Sequence, residues 1–224
     1  MATSAQQSKH AMFRVLVAGF GPFDDHQVNP SYLISQQLPT TYYQHGLPQI
    51  SFFVHPDPLE VSYNSIATLL PSLVLDSDGD TYDLVLLLGL ASRQEYFSIE
   101  SCARREGYVR KDVRGQIPDA DFWLHCTNIP SWLRPSIDLE LLHQTWGQER
   151  PNEDLQVSDD AGKFLCEFTF FGAMLEYWKR DEKGQRPCMF LHVPAGTEAA
   201  DLNHGREVVL ALVVIILRSS KGRD

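Results

Sequence analysis

The chain has 224 residues, 43% hydrophobic and 21% charged, with a formal net charge of −10. That length and apolar content suffice to bury a full core, which excludes a disordered or disulfide-stapled scaffold. The acidic balance, with no Lys/Arg-rich stripe among aromatics, argues against nucleic acid or a membrane as partner, because phosphates and anionic lipid repel it.

In chain order, residues 1–11 are polar and read as a disordered tail. The apolar run that follows is short and ends without a small-residue cleavage site, so no signal peptide is read and a cytoplasmic location is expected. Residues 13–18 (FRVLVA) form a β-branched run of buried-strand type, closed by Gly19-Phe20-Gly21-Pro22-Phe23. Asn29-Pro30-Ser31 predicts a helix start with Ser31 as N-cap, and Pro39 predicts its end. Residues 50–54 predict a strand, and 58–73 a helix on the spacing of Leu59, Tyr63, Ile66 and Leu70. Residues 82–88 (YDLVLLL), closing on Gly89, have the unbroken apolar pattern of a central strand covered on both faces.

Residues 96–103 predict a loosely alternating strand, 112–130 turns, and 135–146 a helix. Residues 155–157 predict a short strand ending in Ser158-Asp159-Asp160, with a helix over 161–177. A strand over 189–193 (MFLHV) ends at Pro194, and a long helix over 198–217 closes the chain, too short in its apolar run to span a bilayer. Strands alternating with helices imply an α/β fold with a largely parallel sheet, in one domain over 12–224.

The four cysteines, Cys102, Cys126, Cys166 and Cys188, form no CxxC pair and no zinc spacing, so free thiols in a reducing compartment are expected. Cys102 and Cys188 adjoin core strands and read as structural; His204 and Arg206 read as solvated on the last helix. Cys166 falls in the first turns of the helix after 155–157, where unpaired N–H groups and the helix dipole favour a thiolate. Its position fits a small buried apolar residue equally well. His192, at the end of an apolar strand, is either a satisfied core histidine or the base of a Cys–His pair. Glu100, amid Phe97, Ile99 and Cys102, is either an outward-facing surface residue or the carboxylate that orients the histidine. Gly19-Phe20-Gly21-Pro22-Phe23 lacks the third glycine of a dinucleotide loop, but its two aromatics suit a flat ligand. No P-loop, GxSxG, HExxH or DxDxDG signature is present.

Taken in order, GFGPF and NPS, the GL–SR–IE segment with Gly-Tyr downstream, SDDAGKFLCEFTFF and FLHVP resemble the pyroglutamyl peptidase I (pyrrolidone carboxyl peptidase) family, in a spelling closer to its eukaryotic members. The resemblance runs from about Phe13 to the last helix. It implies a single-domain α/β/α sandwich of phosphorylase/hydrolase-like type, no metal and no cofactor, and peptide substrates cleaved after an N-terminal pyroglutamyl (5-oxoproline) residue through a thioester acyl-enzyme. It allows for a homo-oligomer. It implies Cys166 as nucleophile, His192 as base and Glu100 as third member, with Phe20 and Phe23 flanking the lactam and Asn29 supporting them. The chain departs from the family pattern at Ala91-Ser92-Arg93-Gln94-Glu95, at Arg104 or Arg105 where an asparagine is expected, and over 117–130 with Trp123, His125 and Cys126. Two alternatives keep the fold: a thiol amidase for another small lactam or N-acyl compound, and a non-catalytic binding homologue.

Overall fold

The computed structural model describes residues 12–119, 122–123 and 128–221; the tail 1–11, His125 and Cys126 lie outside them. Nine strands and five helices are described: β1 (Met12–Gly19), α1 (Pro30–Gln36), β2 (Thr41–Tyr42), β3 (Gln49–Val54), α2 (Tyr63–Val74), β4 (Leu84–Leu90), β5 (Phe97–Glu100), β6 (Ala103–Arg104), β7 (Trp132–Leu133), α3 (Leu139–Glu149), β8 (Leu155–Ser158), α4 (Leu165–Arg180), β9 (Cys188–Val193) and α5 (Ala199–Lys221).

A seven-stranded sheet runs in the order β2-β3-β1-β4-β9-β5-β8. β3, β1, β4 and β9 are mutually parallel, as their apolar runs and helical crossovers require. β2 is antiparallel to β3, and β5 is antiparallel to β9 and parallel to β8. The sheet is therefore mixed: parallel through its centre and reversed at β5. β6 and β7 pair separately.

Successive residues of a strand face opposite sides, and the core divides accordingly. Leu16, Ala18, Val85, Leu87 and Phe190 pack against Ile66 and Leu70 of α2 and Phe168 and Phe171 of α4. Val15, Val17, Leu84, Leu86 and Leu191 face Ile34 of α1, Trp146 of α3 and the aliphatic run of α5. That run is core packing, and no described helix is long and apolar enough to cross a membrane.

Several boundaries differ from the sequence expectation. Asn29, not Ser31, caps α1: its side chain accepts the Ser31 N–H, and Pro30 takes the first helical position, where no N–H is needed. The second helix begins at Tyr63 rather than 58, because the chain bends over 56–62 and Leu59 pairs with the Phe20 loop instead. The third runs over Leu139–Glu149, capped by the Asp138 side chain at 3.0 Å. The 96–103 stretch breaks after Glu100 into β5 and β6. The fourth helix starts at Leu165 rather than 161, because Gly162 and Lys163 hold left-handed φ values of 96° and 49°. On the last helix His204 is exposed as expected, whereas Arg206 is half-buried with its Nε shut off from solvent.

Candidate active site

The face of the sheet under α4 carries the polar side chains. On β9, Cys188 and Phe190 point to that face, and so, two residues on, does His192. On β4, Val85 and Leu87 are followed on the same face by Gly89, which pairs with His192. β5 runs the other way beside β9, with Ser98 opposite His192. This reversal brings the end of β5 back along β9, so the Glu100 side chain reaches His192 rather than the sheet edge.

Glu100 is 1% exposed, and its Oε1 lies 2.7 Å from His192 Nδ1. It is not the outward-facing surface residue that one sequence reading allowed. Cys166 is the second residue of α4, half-buried, and lines the same cavity as His192. Burial pushes the His192 pKa down, but hydrogen bonds with Cys166 and then Glu100 outweigh it and raise it from 6.5 to about 10. The surroundings of the ring thus favour its charged form. Cys102 and Cys188 are buried, and burial pushes both thiols up, as expected of inert structural cysteines.

Gly89 makes room for this arrangement: a Cβ there would stand 3.0 Å from the Cys166 sulfur and 2.7 Å from the Phe190 ring. The leading N–H groups of the first α4 turn have no intrahelical acceptor and lie at the helix end that carries the sulfur. No side chain caps this helix at Phe164.

The Phe20 loop lies next to the sulfur. Phe20 is buried at the end of β1, and its N–H donates to Ser31 Oγ at 3.0 Å. Asn29 is also buried and donates from Nδ2 to the Gly21 carbonyl at 3.0 Å, so it braces the loop from behind. Phe23 stands half-buried at the mouth, in a tight hairpin closed by reciprocal backbone bonds with His26. Phe20, Phe23, Val61, Leu90 and Phe164 surround an apolar cleft against Cys166 with a volume of only about 10 Å³. A larger cavity of about 520 Å³ adjoins this cleft at Phe23, Phe164 and Cys166 and extends along His192, Arg93 and Asp160. Among the described residues no group of His, Cys, Asp and Glu is arranged to hold a metal ion.

The family model described as pyroglutamyl peptidase matches residues 13–124, a span that contains Glu100 and the Phe20 loop and ends before Cys166. The pyrrolidone-carboxylate peptidase of Deinococcus radiodurans is 30% identical over 193 residues, covering 83% of this chain and 80% of that protein. The chain belongs to the pyroglutamyl peptidase family. Human pyroglutamyl-peptidase 1 is 24% identical over 212 residues, 93% of each chain. The solved structure of the pyrrolidone carboxyl peptidase of Thermococcus litoralis shares the fold, with a TM-score of 0.74 at 18% identity over 95% of this chain and 97% of that one.

All six residues singled out in the sequence therefore meet in one region of this pyroglutamyl peptidase family member: Glu100 bonds His192, His192 and Cys166 line one cavity, and Phe20, Phe23 and Asn29 adjoin Cys166. Sequence reading passed over four others. Gly89 carried a signal, since a glycine ending a central strand marks a close approach. Phe164 packs in the core and also forms the third aromatic wall of the cleft, 6.4 Å from Phe23 between ring centroids. Arg110, in a stretch with no clear pattern, lays its guanidinium over Phe164 at 4.1 Å and pairs with Asp24. Glu167 was visible only as a carboxylate set among phenylalanines.

Proposed function

We propose that the chain is a cysteine exopeptidase that hydrolyses the amide bond after an N-terminal pyroglutamyl residue, with Cys166 as nucleophile, His192 as acid and base, and Glu100 as orienting carboxylate. The observation that carries the reading is the buried Glu100–His192 pair, whose histidine lines one cavity with Cys166 at the start of α4, with an aromatic cleft against the sulfur. The Cys166 thiolate attacks the pyroglutamyl carbonyl carbon, and the carbonyl electron pair moves to oxygen. Leading N–H groups of the first α4 turn stabilise that oxyanion. The His192 imidazolium gives its proton to the leaving amine as the C–N bond breaks, which leaves a thioester on Cys166. Neutral His192 then takes a proton from a water whose oxygen bonds to the thioester carbon; the C–S bond breaks, pyroglutamic acid leaves, and the Cys166 thiolate and His192 imidazolium are restored. Glu100 on Nδ1 fixes the ring orientation and stabilises the charged form.

The lactam is flat and neutral, so it suits the space between Phe20, Phe23 and Phe164. Phe23 stands at the mouth of that space. The remainder of the peptide lies in the larger cavity beyond His192. A neutral aromatic pocket at the reacting carbonyl accepts the lactam in place of a charged α-amino group, which accounts for a single N-terminal residue being removed. The buried, unpaired state of Cys102 and Cys188 supports a reducing, cytoplasmic setting.

The test is release of a fluorogenic amine from a pyroglutamyl conjugate. Cys166→Ala is expected to abolish it while the fold is kept. Full activity in that variant would eliminate the nucleophile assignment.

A further inference from the structure

We propose that Arg104 is a positioning residue for Cys166: acting through Glu167 and Asp160, it holds the strained turn that presents the sulfur to His192. The inference rests on Cys166 being the nucleophile. Arg104 does not line either cavity at the sulfur, so its effect is transmitted rather than direct.

The turn in question is Gly162-Lys163, both left-handed, which lead through Phe164 and Leu165 to Cys166. Lys163 is not a glycine, so this conformation persists only if its surroundings enforce it. Each backbone N–H of the turn is held by a carboxylate. The Gly162 N–H donates to Asp160 Oδ1 at 3.2 Å, and the Lys163 N–H donates to Glu167 Oε2 at 2.8 Å. Both carboxylates belong to one cation. Arg104 pairs with Asp160 through Nη2, and its Nε donates to Glu167 Oε1 at 2.7 Å, with the Arg104 backbone N–H on the same oxygen at 2.9 Å.

Glu167 is fully buried, next in sequence to Cys166, and so its carboxylate is tolerated there only because every one of these donors is present. The guanidinium itself is fixed over the Trp132 ring at 5.3 Å. Arg104 lies four residues beyond Glu100 on the strand that follows it. One side chain thus ties the segment that carries the orienting carboxylate to the turn that carries the sulfur.

The experiment compares wild type with Arg104→Met, Arg104→Lys and Glu167→Gln in two assays: pyroglutamyl-amide turnover, and alkylation of Cys166 by iodoacetamide across pH. Arg104→Met is expected to lower kcat about 10- to 100-fold, the scale of a sub-ångström to 1 Å misplacement, with KM unchanged. Alkylation at Cys166 should slow in parallel. Arg104→Lys should recover part of both, because an ammonium reaches one carboxylate but cannot bridge two. Glu167→Gln should match Arg104→Met, since whichever way the amide turns, one donor meets a donor.

A folded Arg104→Met with wild-type kcat and alkylation rate overturns the proposal, however far its thermal midpoint falls. If Arg104→Met does not fold, wild-type values in Glu167→Gln overturn it instead. Should the wild type lack pyroglutamyl turnover, the alkylation ratio still decides the role of Arg104, so the two failures are distinct.

Discussion

Gly89→Ala isolates the role of sulfur placement, because it adds one carbon and removes nothing. The new Cβ would stand 3.0 Å from Cys166 Sγ and 2.7 and 2.8 Å from two carbons of the Phe190 ring. Non-bonded carbons settle at about 3.5–4.0 Å, so these contacts are roughly 0.5–1 Å too close. The Phe190 ring has little room to retreat: it is fully buried, with Phe170 at 5.9 Å and Phe20 at 6.3 Å between centroids. Cys166 is only half-buried, so the sulfur gives way and shifts relative to His192. A displacement of that size at the reacting atom costs up to about 10²-fold in rate. Overpacking should also cost about 1–3 kcal/mol of stability. For a chain of this length each kcal/mol moves the thermal midpoint by about 2–4 °C. The assay is kcat on a pyroglutamyl amide alongside thermal unfolding. A variant with wild-type kcat would refute the reasoning, since the sulfur would then tolerate displacement or the strand register beneath it would be different.

Gly147→Ala is the matched control: nothing lies within 4 Å of a Cβ there, it sits inside α3, and it should gain about 0.5–1 kcal/mol with no change in turnover. Glu100→Gln keeps an oxygen for His192 Nδ1 and puts the amide nitrogen at Oε2, which has no partner; kcat should fall by up to about 10⁴-fold, less than in Cys166→Ala. Phe23→Ala should raise KM about 2- to 12-fold through loss of one aromatic contact of about 0.5–1.5 kcal/mol, measured by steady-state kinetics. His192 sets a pH dependence. Its pKa rises from 6.5 in the unfolded chain to about 10 in the folded one, so between those values the native state holds a proton that the unfolded state releases. Its stabilisation is complete below about pH 6.5 and is lost as pH rises through about 10. The difference in thermal midpoint between wild type and His192→Gln should shrink across that window, and a constant difference would contradict the raised value.

The elements that build the site were legible where local chemistry decides them. The unbroken run before Gly89 reads as a central strand, SDDAGKFLCEFTFF reads as a strand end running into a helix, and FLHVP places a histidine at a strand terminus. What was not legible depends on register and direction. Glu100 could be named from the sequence, but it reaches His192 because β5 runs antiparallel to β9, and no residue in 96–103 encodes that reversal. Gly89 matters because the pairing sets it opposite His192 and under the sulfur. The helix start at Leu165 depends on left-handed Lys163, which its own residue type disfavours and which the neighbouring carboxylates of Asp160 and Glu167, both held by the distant Arg104, enforce. Arg104 could be seen to depart from the family pattern, but the two carboxylates that it joins are 56 and 63 residues away.

The central claim is that acyl transfer passes through the sulfur of Cys166. The most direct measurement is to quench the enzyme during turnover of a pyroglutamyl ester or amide, digest it, and locate any acyl group by mass spectrometry. A pyroglutamyl thioester on the peptide containing Cys166, removed by hydroxylamine and absent from Cys166→Ala, is the predicted result. Turnover that proceeds with the acyl group on Cys102 or Cys188, or unimpaired in Cys166→Ala, would contradict the account.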